Sequence, residues 1–177
     1  SITVSGIAGD SDETVSINAG TGSVSLGAVG DTAHAEIHNL TVAGDAGITL
    51  TGAIYTSGGA DDSGADITFS DPVIISGTVI IDSDDDDASS VNLDGDIVFN
   101  GSINGTDGST DNLTIEGGSG AITLNAGAGN DIVWFVPESG NGGIANDASI
   151  NLDDGDDYLY TRFGITENSV INGGAGF

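Results

Sequence analysis

Two glycine- and aspartate-rich nonapeptides hold the residues best suited to chemistry. Residues 126–134 read AGAGNDIVW and match the pattern G-G-x-G-x-D-x-U-x, with alanine for the first glycine. Residues 152–160, LDDGDDYLY, match it more loosely. Glycine permits a tight turn whose backbone carbonyls face inward, and the aspartate carboxylate completes an oxygen cage for a hard cation. Since an apolar strand residue follows, each nonapeptide predicts a calcium site beside a β-strand.

The nonapeptides resemble the calcium-binding β-roll of RTX proteins, a family of secreted bacterial toxins, enzymes, adhesins and surface-layer proteins. The resemblance covers about 50 residues, and residues 173–177 (GGAGF) begin a third copy. It implies calcium as the cofactor, with ligands among Gly127, Gly129, Asn130, Asp131, Asp153, Gly155, Asp156 and Asp157. Repeats of a β-roll follow every nine residues, whereas Asp131 and Asp157 are 26 apart. This spacing predicts one such turn per coil; the alternative is plain turns with solvated carboxylates.

An aspartate run at residues 82–87 (DSDDDD) is a second candidate cation site, with Asp82, Asp84 and Asp86 as candidate ligands. An EF-hand is excluded, because the twelfth position from Asp82 is Leu93 and not the bidentate glutamate that such a loop requires. Two interpretations stay open: a solvated loop that bulges from a coil, or a cation-binding loop.

Four aromatic residues form a candidate ligand site for a sugar. Trp134 and Phe135 are adjacent in sequence, and Tyr158 and Tyr160 follow in the second nonapeptide. Aromatic faces are suited to stacking on a ligand, but they serve equally well in a core. The alternative interpretation is therefore a packing cluster.

Short β-rich runs separated by Gly, Asn, Asp and Ser recur along the whole chain, and most of them alternate apolar and polar residues. They cover residues 2–4, 15–17, 24–26, 37–42, 48–50, 67–69, 73–75, 79–81, 97–99, 113–115, 122–124, 132–136, 149–152, 158–160 and 169–171. No segment has a convincing helical period. The pattern predicts an all-β protein.

The runs also resemble one another. Runs that start at residues 48, 67, 97 and 122 share the order small or acidic, Ile, Thr or Val, then aromatic or Leu, with gaps of 19, 30 and 25 residues. Such self-similarity favours a β-solenoid, in which each coil is too small to bury its own apolar face and stacking supplies the core. An antiparallel sandwich is the alternative, although it gives no reason for strands to repeat the same residues.

Residues 48–52 (ITLTG), 66–69 (DITF), 96–101 (DIVFNG) and 112–115 (NLTI) resemble the strand repeats of giant bacterial surface proteins, including filamentous-haemagglutinin-like adhesins. The resemblance spans residues 40 to 130. It implies a right-handed parallel β-helix, an extracellular setting and an adhesive or structural role. We predict seven to nine coils, a rod of about 35–45 Å at the strand spacing. We also predict a single segment of a longer chain, with strand-repeat coils over 1–125 and RTX-like coils over 126–177.

Composition excludes several functions. The chain has 28 acidic residues and one Lys or Arg, a net charge of -27. Because it lacks a basic surface, nucleic acid is excluded as a partner, and no run is long enough for membrane insertion. No disulfide can form without cysteine. Carboxylates are abundant, but nothing singles out a catalytic pair, and we predict that the chain is not an enzyme.

We predict a structural, calcium-stabilised segment of a filament, sheath, surface layer or adhesin outside the bacterial cell. Its expected partners are further copies or neighbouring segments of the same protein, with cell-surface or matrix polysaccharide as a further candidate. A carbohydrate-binding adhesin module is the alternative function. An ice-binding solenoid is a minor alternative, which needs threonines in register; Thr49, Thr68, Thr114 and Thr123 share a place in the repeat.

Overall fold

The chain is all-β throughout the part that the structure describes. The computed structural model describes residues 1–9, 13–30, 37–57, 65–83, 95–106, 111–116, 121–125, 132–135, 149–152, 158–161 and 169–173. These residues form strands and no helix, so none of them belongs to a helix long and apolar enough to cross a membrane. The strands are β1 (Ile2–Ile7), β2 (Thr14–Asn18), β3 (Val24–Val29), β4 (Asn39–Ala43), β5 (Ile48–Leu50), β6 (Ile54–Tyr55), β7 (Ile67–Phe69), β8 (Val73–Ile75), β9 (Thr78–Asp82), β10 (Ile97–Gly105), β11 (Asn112–Glu116), β12 (Ile122–Asn125), β13 (Ile132–Phe135), β14 (Ser149–Asn151), β15 (Tyr158–Thr161) and β16 (Val170–Asn172).

The strands stack into two parallel ladders that the chain visits in turn. Ladder A contains β1, β3, the pair β5 and β6, the pair β8 and β9, and finally the end of β10 with β11. Ladder B contains β2, β4, β7, the start of β10, β12, β14 and β16. β13 and β15 form a separate parallel pair. Every pairing among the described strands is parallel, which confirms the predicted solenoid and contradicts the antiparallel sandwich.

Register fixes the length of a coil. Leu40 pairs with Ile67, Ile67 with Ile97 and Ile97 with Ile122, so successive coils of ladder B are offset by 27, 30 and 25 residues. The first step of the predicted repeat, the gap of 19 residues from Ile48 to Ile67, was wrong. Ile48 lies in ladder A and Ile67 in ladder B, so this gap falls within one coil. The structure closes about four coils, so the predicted count of seven to nine is not confirmed. The division at residue 125 stays a prediction.

The core lies between the ladders and is built from columns of like residues. In ladder A one column runs Ile2, Val24, Ile48, Val73, Ile103. In ladder B, Phe69 and Phe99 stack with ring centroids 4.9 Å apart and an interplanar angle of 24°. The apolar residues of the inner coils are almost completely buried. Each coil therefore buries its apolar face against its neighbours, which is the reason that a repeat of this size folds only in a stack.

Gly27 shows how closely the coils approach. A Cβ atom at this position would lie 2.2 Å from the carbonyl oxygen of Ser5 in the preceding coil. Glycine is therefore required by the contact between β1 and β3.

Candidate functional site

Acidic residues are segregated by the topology. Connections that lead from ladder A to ladder B carry fourteen of them: Asp10, Asp12, Glu13, Asp31, Glu36, Asp61, Asp62, Asp66, Asp84, Asp85, Asp86, Asp87, Asp94 and Asp96. The return connections between residues 19 and 102 carry only Asp45 and Asp71. The connections from ladder A to ladder B therefore hold most of the negative charge of the strand-repeat region, and this charge favours cation binding there.

Two buried hydroxyl groups donate hydrogen bonds that join the two ends of the longest acidic connections. Thr56 Oγ1 donates a hydrogen bond of 2.7 Å to the carbonyl oxygen of Ala65, and Ser83 Oγ donates one of 2.7 Å to that of Gly95. The two residues occupy equivalent positions, since Tyr55 pairs with Asp82 immediately before them. Each hydroxyl joins the two ends of a loop, so loops of different length leave the core at the same place.

Asp82 is the one predicted calcium ligand within the described residues. It ends β9, is only 9% exposed, and pairs in register with Tyr55 and Glu116 on the neighbouring coils. Asp82 thus belongs to a strand and not to a solvated loop. Asp84 and Asp86 lie outside the described residues.

A column of Asx side chains joins successive coils at the start of ladder B. Asn39 Oδ1 accepts the N–H of Asp66 at 2.8 Å, Asp66 Oδ1 accepts that of Asp96 at 2.9 Å, and Asp96 Oδ1 accepts that of Ala121 at 2.8 Å. Each side chain caps the next coil just before its buried isoleucine. These residues were not predicted as functional, although the small-or-acidic residue that precedes Ile67 and Ile97 was part of the repeat.

Two further aspartates bridge coils by accepting backbone N–H groups. Asp71 Oδ2 accepts the N–H of Gly44 at 2.7 Å. Asp111 Oδ1 accepts the N–H of Gly77 at 2.6 Å, and its Oδ2 accepts the hydroxyl of Thr106 at 2.9 Å. Carboxylates in this molecule therefore act as coil-to-coil acceptors as well as carriers of charge.

The nonapeptide residues Gly127, Gly129, Asn130, Asp131, Asp153, Gly155, Asp156 and Asp157 all lie outside the described residues. The strands that follow the two motifs are described, and they pair in parallel with Ile132 opposite Tyr158. This pairing offsets β13 from β15 by 26 residues, which is the same interval that separates Asp131 from Asp157. Across the described part of the chain, no three His, Asp or Glu side chains converge as metal ligands.

The four predicted aromatic residues fall on two adjacent strands. Trp134 pairs with Tyr160 in register, Tyr158 lies opposite Ile132, and Phe135 lies opposite Thr161. Tyr158 is 56% exposed, whereas its neighbour Leu159 packs against the core. The register thus brings the predicted residues together at the level of the backbone.

The threonines of the ice-binding alternative are split between the two ladders. Thr68 lies in ladder B, where it pairs with Thr41 and Val98, and Thr123 pairs with Val98 from the other side. Thr49 and Thr114 lie in ladder A, opposite Ile74 and Ile80 respectively. The expectation that these four residues share one place in the repeat was wrong, because Thr49 and Thr114 belong to the other ladder.

Asparagines form a second interstrand column in ladder B. Asn125 pairs with Asn151, and Asn151 with Asn172, at the ends of β12, β14 and β16. Asn172 Nδ2 donates to Asn151 Oδ1 at 3.1 Å, and Asn125 Nδ2 donates to the carbonyl oxygen of Phe99 at 3.0 Å. The bond between Asn172 and Asn151 is of the kind by which stacked asparagines reinforce parallel strands.

No protein-family model, curated protein or solved structure matches the chain.

Proposed function

We propose that this chain is a stiff structural segment of a large bacterial extracellular protein, of the filament, sheath, surface-layer or adhesin type. Its right-handed parallel β-helix continues over seven to nine coils, and calcium locks the coils that carry Asp/Gly turns. It carries load and has no catalytic role.

The observation that carries this proposal is the continuity of ladder B. Seven strands, β2, β4, β7, β10, β12, β14 and β16, follow one another in parallel register. The described core beneath the inner strands is filled by aliphatic and phenylalanine side chains. Interstrand hydrogen bonds in a parallel ladder run along the stack. A force that pulls two adjacent coils apart therefore acts on all the hydrogen bonds between them. A stack of this kind suits a rod.

Charge supports the calcium part of the proposal. A net charge of -27 with a single Arg repels itself, and bound cations relieve that repulsion. The 26-residue offset of β13 and β15 supports one nonapeptide per coil, because a chain that keeps this register brings equivalent aspartates to neighbouring coils. Asp82, Asp84 and Asp86 are proposed as a second cation-binding group, and calcium is proposed as the cofactor of both.

Single-molecule force spectroscopy tests the rod. The chain has no cysteine, so cysteines added at its two ends attach it to handles uniquely. We expect force peaks in steps of one coil, each releasing roughly 80–100 Å of chain for 25–30 residues, with higher forces in calcium than in chelator. Extension at low force without steps would contradict a load-bearing role.

A carbohydrate-binding module is the second candidate, and the register of the aromatic strands favours it. Trp134 lies opposite Tyr160, and the exposed Tyr158 is two residues away on the same strand. Aromatic residues that are register partners on adjacent strands are suited to a site in which rings stack on a ligand. The negative charge of the chain favours neutral or cationic sugars over acidic ones.

Trp134 is the single tryptophan, so its fluorescence reports directly on this site. Titration with neutral oligosaccharides should shift its emission if they bind there, and Tyr160→Ala should weaken the response at least tenfold. Tyr55→Ala, in a tyrosine remote from β13 and β15 in the register, is the matched control. A spectrum that does not change with any neutral or cationic oligosaccharide would remove this candidate.

A further inference from the structure

The outer surface of ladder B is uncharged in a chain that carries 28 acidic residues. None of its seven described strands contains Asp, Glu, Lys, Arg or His, whereas β9 and β11 of ladder A end in Asp82 and Glu116. The register aligns its outward side chains in one central column, which consists of Ser16, Thr41, Thr68, Val98, Thr123, Ser149 and Val170. We call the surface around this column the B face.

Side chains on the B face can both donate and accept hydrogen bonds. Thr41 is exposed in the central column, and Ser70 and Asn100 are exposed directly after the inward phenylalanines of their coils. Hydroxyl and amide groups act as donors and as acceptors. The columns of a second B face repeat at the same strand spacing, so that face offers partners to these groups along its whole length.

Ladder B offers a longer unbroken surface than ladder A. Each coil adds one strand to ladder B, whereas ladder A receives two short strands from a coil, as in β5 with β6 and β8 with β9. Seven strands at the strand spacing extend over about 29 Å, and the strands are about 10–17 Å long. Two B faces in contact bury roughly 600–1,000 Å² in total, less than a standard protein interface. We therefore expect a weak contact that strengthens with each further pair of coils.

The two edges of the B face differ in charge. All strands of ladder B are parallel, so their starts share one edge and their ends share the other. Connections that enter at the first edge carry fourteen acidic residues, whereas the return connections between residues 19 and 102 carry only Asp45 and Asp71. Two copies that meet face to face therefore repel least when the acidic edge of one lies beside the weakly charged edge of the other.

We propose that two copies of this chain pair side by side through their B faces, with the two-fold axis parallel to the stack of coils. The contact is isologous, because both copies contribute the same surface. This axis brings each residue of the central column opposite its own counterpart and places the two acidic edges on opposite sides. A two-fold axis along the strands would place the acidic edges together. The inference rests on the proposed structural function and specifies its partner, a second copy of the chain.

Cross-linking of single cysteines tests the axis. The chain has no cysteine, so Thr41→Cys and Ser149→Cys each introduce one thiol, toward opposite ends of the central column. A bismaleimide that spans roughly the 10 Å between packed sheets should convert each variant on its own into a covalent dimer. Thr49→Cys, at an outward position of ladder A, is the control and should stay monomeric. With the axis along the strands, the thiols would meet only in a mixture of Thr41→Cys and Ser149→Cys chains.

A carboxylate at the centre of the B face tests the surface. Thr68→Glu brings two like charges together across the contact, and it should raise the dissociation constant of the dimer at least tenfold. Thr49→Glu adds the same charge to ladder A at a similarly half-buried outward position, and it should associate like the wild type. Sedimentation velocity over rising protein concentration measures both, in calcium-containing buffer that screens the net charge of each copy. Circular dichroism checks that the variants fold.

The proposal is overturned if the wild type stays monomeric at every concentration, if Thr49→Cys cross-links as readily as Thr41→Cys, or if only the mixture of cysteine variants does. Binding of a monomer to an insoluble neutral polysaccharide, abolished by Thr68→Glu, would also overturn it, because the B face would then bind a sugar and not a second copy. A monomer that still unfolds in calcium-dependent, coil-sized force steps would keep the structural function and remove this inference alone.

Discussion

Single side chains in this molecule hold one coil to the next. The Asx column of Asn39, Asp66 and Asp96 caps the strand starts of ladder B, and the column already contains both an amide and two carboxylates. Its members share an acceptor oxygen and differ in charge. The acceptor is therefore what the backbone of the next coil requires at this position.

Asp96→Asn should preserve stability, because the amide oxygen still accepts the N–H of Ala121 and one negative charge is removed. Asp96→Ala should lower the free energy of unfolding by about 1 kcal/mol, since that N–H loses its partner. Urea denaturation measures both values. If the asparagine variant were as unstable as the alanine variant, the charge of Asp96 and not its acceptor oxygen would be essential.

The buried hydroxyls of Thr56 and Ser83 make a second prediction at this scale. Thr56→Val removes the donor to the carbonyl of Ala65 while keeping the shape of the side chain, and should cost about 1–2 kcal/mol of unfolding free energy. Thr68→Val is the matched control, because the equivalent position of the next coil is Val98; it should change stability by less than about 0.5 kcal/mol. Equal effects of the two substitutions in urea denaturation would show that the hydrogen bond from Thr56 to Ala65 contributes nothing to stability.

These residue roles could be predicted only in part. The acidic position before Ile67 and Ile97 was visible as part of the repeat, but its cross-coil bond depends on register. The sequence did not indicate that Thr56 and Ser83 are equivalent, because the loops that follow them differ in length and the equivalence depends on the register of β6 and β9. The nonapeptide ligands and most of the Asp82 to Asp86 group were predicted from glycine and aspartate spacing, and they stay predictions.

At the scale of elements, the phenylalanine stack shows how a column of the core is filled. Phe69 and Phe99 are fully buried and stacked, and in the following coil the buried Leu124 comes directly after Thr123, the register partner of Val98. The column therefore accommodates either an aromatic or a leucine side chain, provided that the volume is kept.

Phe99→Ala should lower the free energy of unfolding by about 3–5 kcal/mol, because the cavity it leaves lies between two rigid strands. Phe99→Leu should cost no more than about 1.5 kcal/mol, since leucine already fits the neighbouring coil. Chemical denaturation of the two variants measures the difference. A leucine variant as unstable as the alanine variant would mean that the ring stack, and not the filled volume, stabilises the column.

Strands were the most predictable elements. Alternating runs such as Ile48–Leu50 and Ile67–Phe69 coincide with the observed strands, because apolar residues at period two bury one face. β6 was missed, since a strand of two residues has no period. The repeat length was misjudged because each coil contains strands of both ladders with similar sequences, so similarity alone did not distinguish neighbours within a coil from neighbours between coils.

On the scale of the whole molecule, stacking and charge oppose each other. Parallel ladders and an apolar core favour the stack, whereas 28 acidic residues against one Arg oppose it. The topology places most of the acidic residues of the strand-repeat region in one type of connection and not within the strands. Composition and repeats were sufficient to predict a solenoid, because both are properties of the entire sequence and do not require a correct register.

We propose that calcium, bound at the Asp/Gly turns, locks the coils. Thermal unfolding by circular dichroism, in millimolar calcium and in chelator at matched ionic strength, tests it most directly. A site half-saturated at one hundredth of the calcium concentration adds about 2.7 kcal/mol, so two sites should raise the melting temperature by about 10 °C or more in a chain of this size. Asp131→Asn with Asp157→Asn should abolish most of the rise, and Asp10→Asn with Asp45→Asn, which removes the same charge elsewhere, should leave it intact. An equal rise in magnesium or sodium chloride, or no rise at all, would contradict the account.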